Sequence, residues 1–580
     1  MCIFDGGTRL KRILLFFFCM SALLYALPQG IENAIKHSGI PQKDISIYIK
    51  EAGDSNRVVA SLNASKTRTP ASVIKVLTTY AAVLKLGFDY RWPTQFYRRG
   101  TLKQGILHGD LIVKGFGDPT FGSDDLEDIV SRIKSAGIRE ITGSIMIDRS
   151  YFDVGNKNSS KFDENPYSPY NAMPDAMMFN ERVSTICVAP DQNSVAKKYP
   201  DRSYVVHNQL QRVNKPCRGR YSWPRVKVDD SKAVPEVWLK GKISKRCRKR
   251  EICRVLTQPY KSFYYALKEA LKEADIPVHG TMKLRKVPHD AEILFTHYAE
   301  PLEKIIAKTA KKSNNLYARH LLLFLGAKLY GAPATVEKGR RAVIRILEAH
   351  GALSSGRVKI DNGSGLSRSA KLNAKILSKM LDSAYERYGE RWMRTLSIAG
   401  VDGTIKKRFR GTVVKNRAWM KTGTLKHAKN IAGYVKSRTG RIYTVVIIIN
   451  TKKGRWKAAK LEDEVIQWLV TYKGRGRVQP SAKKKNTTTP ERLLKKQTHS
   501  VPKGEKGVYF LQAGSFSHFP TDQYLAKIKA HGFSYKVVNN CTGYKVLIGP
   551  FSSEKEARRV LSAVRREISE GAFLLQDKSI

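Results

Sequence analysis

The chain is 580 residues long, more than one hydrophobic core usually organises, so two or more domains are expected. Apolar residues make up 42%, which suits a water-soluble globular protein and excludes both wholesale disorder and a bundle of membrane spans. The 104 Lys and Arg exceed the 50 Asp and Glu by a formal +54, which predicts attraction to anionic surfaces. These cations are spread along the chain without zinc-finger spacing or an aromatic RNA signature, so no nucleic-acid partner is expected.

The chain opens on an address. Arg9, Lys11 and Arg12 precede an apolar run from Ile13 to Leu24, and small Ala26 is the cleavage point. That is the pattern of a secretory signal over residues 1–26, and the run is short for a membrane span. An uncleaved anchor is the alternative, because Leu24 is bulky for its position, and it is the one route to a membrane. Export places Cys187, Cys217, Cys247 and Cys253 in an oxidising compartment, where two disulfides with open connectivity are expected. No cysteine pair has the short spacing of a zinc site, and no metal or cofactor is called for.

"ISIYIKEA" and "NRVVASLNA" read as a hairpin that leads into an apolar helix, "RTPASVIKVLTTYAAVLKLG". Residues 91–285 form an excursion with its own strand signals, "GDLIVKG", "ITGSIMID" and "AVPEVWLKGKI". "AWMKTGTL", "NIAGYVK" and "RIYTVVIIIN" then supply three more strands, followed by the helix "LEDEVIQWLVTY". The expected fold is α+β: one antiparallel sheet flanked by helices, built from residues 27–90 and 286–472 around inserted β-rich domains. Residues 473–506 carry eleven Lys and Arg against two Glu and few apolar residues, the composition of a flexible basic linker. Residues 507–580 spell a ferredoxin-like β-α-β-β-α-β unit.

Ser72 and Lys75 stand three apart in the apolar helix, one turn from each other on one face. A lysine whose pKa is lowered by a water-poor cleft can take the proton of a serine hydroxyl. By itself the short, common S-x-x-K pattern reads more readily as a helix cap and a snorkelling lysine. Ser313-Asn314-Asn315 at the head of a later helix and Lys421-Thr422-Gly423 on a strand reverse that reading. S-x-x-K, S-x-N and K-T-G in this order are the signature of penicillin-binding proteins and class A β-lactamases.

With these motifs the chain resembles the class C low-molecular-mass penicillin-binding proteins, D-alanyl-D-alanine carboxypeptidases and endopeptidases. The long interval between Ser72 and Ser313 leaves room for the inserted domains of that class. "GILHGDLIVKGFGDPTF", "ITGSIMIDRSYF" and "DNGSGLSR" extend the match over roughly residues 30–470. No counterpart of the Glu-bearing loop of class A β-lactamases is visible. The resemblance implies the penicillin-binding transpeptidase fold, with Ser72 as nucleophile on the D-Ala-D-Ala carbonyl of a peptidoglycan stem and Lys75 as base. It implies Ser313 as proton relay to the leaving amine, Asn315 as the group that orients Lys75 and substrate, and Lys421 as positive charge. Thr422 and Thr424, on either side of Gly423, would hold the terminal carboxylate, and the N–H groups of Ser72 and Thr424 would form the oxyanion hole. β-Lactam antibiotics would be covalent inhibitors. For substrate choice, Asp148 is a candidate to pair with a diamino-acid amine or to cap a turn. Arg368 is a candidate to border that pocket or to make a surface pair.

"VYFLQAGSF" and "YKVLIGPFSSEKEA" resemble the SPOR domain, which implies binding to glycan strands stripped of their peptides. Gln512, Ser515 and Tyr544 are its candidate ligand contacts, or they merely complete the sheet. The expectation is thus a periplasmic, wall-associated serine peptidase acting on stem peptides and cross-links, with the division site as one possible address. A non-catalytic wall-binding scaffold on a vestigial peptidase fold is the alternative, and a β-lactamase or esterase a more distant one.

Overall fold

The computed structural model describes residues 27–155, 162–353, 358–474, 477–478, 508–516, 520, 522–540, 543–569 and 571–577. The expected signal segment, most of the expected linker and Cys541 lie outside these residues. The chain divides into two compact units, one up to Ala482 and one from Lys483. Among the described residues no helix is long and apolar enough to cross a membrane.

The first unit is organised by a seven-stranded sheet. Its strands are β1 (Ile45–Glu51), β2 (Arg57–Leu62), β3 (Ser397–Ile398), β4 (Ala418–Leu425), β5 (Ala428–Lys436), β6 (Ile442–Asn450) and β7 (Arg477–Val478). They lie in the order β3-β4-β5-β6-β1-β2-β7, and every neighbouring pair is antiparallel. Ile45 faces Ile449 across the β1–β6 seam, so segments almost the length of the unit apart in sequence are adjacent in space.

Helices cover both faces of the sheet. Ile45, Ile47, Ile49, Val445, Ile447 and Ile449 pack with α1 (Gln29–Ser38) and α5 (Arg455–Thr471). Tyr48, Tyr434, Val446 and Ile448 pack with α2 (Lys75–Leu86), α3 (Asn315–Tyr330) and α4 (Ala374–Met393). A strand buried on both faces cannot alternate apolar with polar, which is why β6 reads as the unbroken run "VVIII". Helix α3 is buried almost all round for the same reason: it is the middle of a helical layer.

The chain between α2 and α3 builds further sheets. Strands Pro93–Lys103, Ile106–Gly115, Ile145–Asp148, Met282–Leu284 and Glu292–Tyr298 form one, with Glu292–Tyr298 paired to Pro93–Lys103 at its edge. Two three-stranded sheets, Val205–Val213 with Arg225–Asp229 and Glu236–Ser244, and Ser184–Ala189 with Ser194–Lys197 and Arg250–Arg254, share a small core. One disulfide, Cys217–Cys247, staples this region where two were expected. Cys187 and Cys253 stay free because their strands place Cys187 opposite Glu251 and Cys253 opposite Thr185, so the two thiols are diagonal neighbours and not a facing pair.

In the second unit, β8 (Val508–Phe516), α6 (Asp522–Ala530), β9 (Tyr535–Asn540), β10 (Gly543–Phe551), α7 (Glu554–Glu567) and β11 (Phe573–Asp577) follow the expected β-α-β-β-α-β order. The sheet order is β9-β10-β8-β11. Leu525, Ile528, Ala557 and Val564 of the helices pack on Leu511, Ala513, Val546 and Ile548 of the sheet. Helix α7 starts at Ser553, whose hydroxyl accepts from the Glu556 amide while the Glu556 carboxylate accepts from that of Ser552.

Candidate active site

The chain enters α2 through a tight turn, Ala71–Ile74. Ala71 has φ +48, a left-handed conformation that costs a residue with a Cβ about 1–2 kcal/mol. The turn is held from the sheet side: the Asn430 amide on β5 donates to the carbonyls of Thr69 (3.0 Å) and Pro70 (2.7 Å), and Asn450 Nδ2 donates to Thr69 O. Ser72 is half-buried, and Lys75, one turn on, is wholly buried.

Lys75 Nζ has three neighbours: Ser72 Oγ at 2.9 Å, Asn315 Oδ1 at 2.7 Å and the Ser364 carbonyl at 2.5 Å. Asn315 Nδ2 donates to the Tyr170 carbonyl (3.0 Å), which can only accept, so the amide must turn its oxygen to Lys75. Two of the three neighbours are therefore pure acceptors. A neutral amine satisfies them with its two N–H bonds and leaves its lone pair facing the one partner that has a proton to give, Ser72 Oγ. The electrostatics favour that form. Burial, then the Lys421 ammonium, then the Arg319 guanidinium hold the Lys75 pKa well below its ordinary value.

Ser313 precedes α3 with φ +55, and Asn314 caps the helix by accepting from the Tyr317 amide (3.2 Å). Lys421, on β4 and wholly buried, donates to Ser313 Oγ (3.0 Å) and to the Thr422 carbonyl (2.6 Å). Burial, then the Lys429 charge, lower the Lys421 pKa to about 7. The Thr422 hydroxyl donates to Thr404 Oγ1 (2.8 Å), and Thr424 is exposed at the strand end, where Lys429 Nζ lies 3.3 Å from its hydroxyl.

Two glycines allow these segments to meet. A Cβ on Gly423 would lie 2.8 Å from the Pro70 carbonyl and 2.9 Å from the Ser72 amide nitrogen. A Cβ on Gly365 would lie 2.0 Å from the Ala71 carbonyl, and Gly365 has φ +78. Strand β4 and the 361–369 loop thus close on the Ser72 turn from two sides. Beside that loop opens a cavity of about 450 Å³, lined among others by Phe162, Met173, Arg319, Asp361, Leu366 and Arg368.

Ser72, Lys75 and Asn315 form one set of contacts and Ser313 with Lys421 a second, linked through the backbone of the S-x-N segment and the charge of Lys421 on Lys75, with Thr422, Gly423 and Thr424 at their edge. Arg368 borders the cavity, donates to the Phe162 carbonyl (2.9 Å) and lies over the Phe162 ring. Asp148 is engaged elsewhere. Its carboxylate accepts from the amides of Ser150 (2.9 Å) and Val287 (3.0 Å), with Lys114 at 4.0 Å. In the second unit Gln512 is 8% exposed, on the strand face away from the helices, and its Oε1 has no partner among the described residues. Ser515 and Tyr544 sit on β8 and β10, where Ser515 pairs with Lys545 and Tyr544 with Phe516; their side chains lie outside the described residues. Sequence reasoning assigned nothing to Ser364, Tyr170 or Thr404. The first two act through backbone carbonyls, which no residue type announces; only the glycines around Ser364 signalled a close backbone approach.

Comparison with known proteins matches residues 27–472 to the D-Ala-D-Ala carboxypeptidase 3 (S13) family and residues 505–576 to the SPOR domain. The D-alanyl-D-alanine carboxypeptidase DacB of Haemophilus influenzae is 28% identical over 421 residues, covering 70% of this chain and 85% of that protein. A D-alanyl-D-alanine carboxypeptidase of an Actinomadura species is 26% identical over 427 residues, covering 70% and 77%. The crystal structure of penicillin binding protein 4 from H. influenzae has the same fold, with a TM-score of 0.65 at 24% identity over 76% of this chain and 99% of that one. A second structure of that protein, complexed with a β-lactam, gives a TM-score of 0.62 at 24% identity over 77% and 100%.

Proposed function

The chain belongs to the D-Ala-D-Ala carboxypeptidase 3 (S13) family and carries a C-terminal SPOR domain, and from that premise we propose a serine acyl-enzyme mechanism centred on Ser72. The observation that carries it is the buried Lys75 amine between Ser72 Oγ and two obligate acceptors. Lys75 takes the Ser72 proton as Oγ attacks the carbonyl between the two terminal D-alanines. The oxyanion settles on the N–H groups of Ser72 and Thr424, where losing one donor typically costs about 10²–10³ in rate. Lys421 donates to Ser313 Oγ, which frees the Ser313 O–H to protonate the leaving amine while the proton Lys75 took from Ser72 is passed on to Ser313, so the proton lost by Ser72 is balanced by the one gained by the amine; Asn315 keeps Lys75 aimed. Water then releases the acyl group from Ser72. Thr422, Thr424 and the charge of Lys421 receive the terminal carboxylate across the Gly423 backbone.

The cavity bordered by Arg368 is proposed to take the stem-peptide side chain, while the geometry of Asp148 supports its turn-capping alternative. Endopeptidase action on cross-links is part of the proposal, since a cross-link presents the same D-alanyl carbonyl. So are covalent inhibition by β-lactams, removal of residues 1–26 on export, residence in the periplasm, a linker over 473–506 and glycan capture by the SPOR unit. Gln512, Ser515 and Tyr544 remain its proposed contacts. Labelling with fluorescent penicillin tests the mechanism: wild type is expected to label and Ser72→Ala not. Absence of labelling in both leaves the non-catalytic scaffold. Mass analysis of digested wall fragments separates the activities, pentapeptide turning to tetrapeptide for carboxypeptidase and dimers disappearing for endopeptidase.

A further inference from the structure

Three consecutive residues in the inserted region, Asn180, Glu181 and Arg182, have φ values of +48, +53 and +57. None is glycine, so each adopts a conformation that residues with a Cβ avoid, and such runs persist only where the surroundings impose them. The flanking pair is pinned within the insert. Asn180 exchanges hydrogen bonds with Ser123, and Arg182 donates to the Met173 carbonyl and to Gln258 Oε1. Glu181, between them, reaches across to the helix that carries the S-x-N motif. Its carboxylate accepts from Asn314 Nδ2 (2.9 Å) and from the Tyr317 hydroxyl (3.0 Å), and it pairs with Lys308 (2.6 Å) on the helix leading into Ser313.

We infer that Glu181 is a positioning residue for the S-x-N motif: it fixes the Asn314 side chain and the first turn of α3, and so sets where Ser313 and Asn315 present their side chains. The inference rests on the acyl-enzyme reading above. Asn314 is the hinge of the arrangement, because one end of its side chain caps α3 through the Tyr317 amide and the other is held by Glu181. Ser313 and Asn315, on either side of Asn314, point to Lys421 and Lys75. Ser313 is itself at φ +55, so the segment does not hold this shape by local preference. Burial and the adjacent Glu181 charge keep the Tyr317 phenol protonated, so it serves as a permanent donor to that carboxylate. The side chains that touch the reacting atoms come from the sheet-and-helix half, but two of them, Ser313 and Asn315, take their aim from the insert.

The test measures, for the full-length chain, the rate at which fluorescent penicillin acylates the protein, together with the fraction of molecules that react and Tm. Glu181→Ala is expected to slow acylation on the order of 10²-fold, as misplacement by about 1 Å does, with the reactive fraction unchanged. Glu181→Gln, which keeps an acceptor, is expected to recover most of that rate. Asn314→Ala should reproduce the Glu181→Ala effect, and the double variant should lose little more than either single one. Wild-type rates in folded Glu181→Ala overturn the inference, as do effects that multiply in the double variant. If Glu181→Ala does not fold, the same cycle is read with Glu181→Met, which keeps the length of the side chain and removes its acceptor. A purely structural role would instead lower the reactive fraction and leave the rate of the remainder intact, which also overturns it. Should wild type take up no penicillin at all, the acyl-enzyme reading fails and this inference with it; a labelled wild type beside an equally fast Glu181→Ala sinks the inference alone.

Discussion

Strand β4 and the inserted strand Glu236–Ser244 are of similar length, eight and nine residues, yet they sit in different solvents. β4 is covered on both sides, so Lys421 and Thr422 are buried with Met420, whereas Glu236–Ser244 alternates between a thin core and water and keeps Lys240 exposed. Burial thus plays two roles in one chain. In the central sheet it changes the chemistry of polar groups; in the insert it only holds the strands together, with a disulfide adding what the small core lacks.

The sharpest way to break this contrast is to remove a buried amine. Lys75→Met is expected to slow penicillin acylation by about 10⁴-fold or more, while its effect on Tm is set by two opposing changes, removal of an amine kept from water and loss of the donor to Asn315 Oδ1 and the Ser364 carbonyl. Near-wild-type acylation would show that Lys75 is not the base. Next comes the packing that excludes water. Gly423→Ala brings a methyl against the Pro70 carbonyl and the Ser72 amide, and an acylation loss on the order of 10²-fold is expected, with a stability cost of about 1–3 kcal/mol. An unchanged rate would mean that the contact of β4 with the Ser72 turn is not needed.

The pH profile sharpens the comparison at a smaller scale. In the proposed mechanism Lys75 must be neutral to accept a proton, so kcat/KM is expected to rise with pH through its lowered pKa. Lys421 must be charged to receive a carboxylate, so kcat/KM falls above about 7. Lys421→Met removes the cation that helps depress Lys75, and the rising limb should therefore move to higher pH as the falling limb disappears. A rising limb that stays in place would uncouple the two lysines. The least effect on rate is expected in the insert. Cys217 and Cys247 are 30 residues apart, and replacing both with serine should cost about 3–4 kcal/mol of stability through unfolded-chain entropy. Denaturant unfolding should show that loss while acylation at 25 °C stays at the wild-type rate. A fall in rate would mean that the insert's stapled core also supports the site.

Much of this was legible in the sequence because the chemistry depends on side-chain identity. S-x-x-K, S-x-N and K-T-G named Ser72, Lys75, Ser313, Asn315 and Lys421 as a set, and β-branched runs marked strands of the central sheet and of the insert. The contributions that stayed hidden are made by backbone or over long range. Nothing in the letter code says that the Ser364 and Tyr170 carbonyls hold Lys75 and Asn315, since any residue has a carbonyl. Glu181 lies far from Asn314 in sequence, and a lone acidic residue before "RVSTI" carries no periodic or motif signal. Asp148 shows the converse: its residue type left amine pairing and turn capping both open, and only the fold shows that its carboxylate accepts from two backbone amides.

The setting of Lys75 also bears on when the protein becomes dangerous to its maker. Its three polar neighbours come from residues 72, 315 and 364, and the charge that presses on it comes from residue 421. In a newly synthesised chain none of these is assembled, and the amine is an ordinary surface cation, protonated and inert toward a hydroxyl. Under the proposed mechanism hydrolytic power therefore arrives only once these distant segments have met, which makes completed folding itself the safety catch.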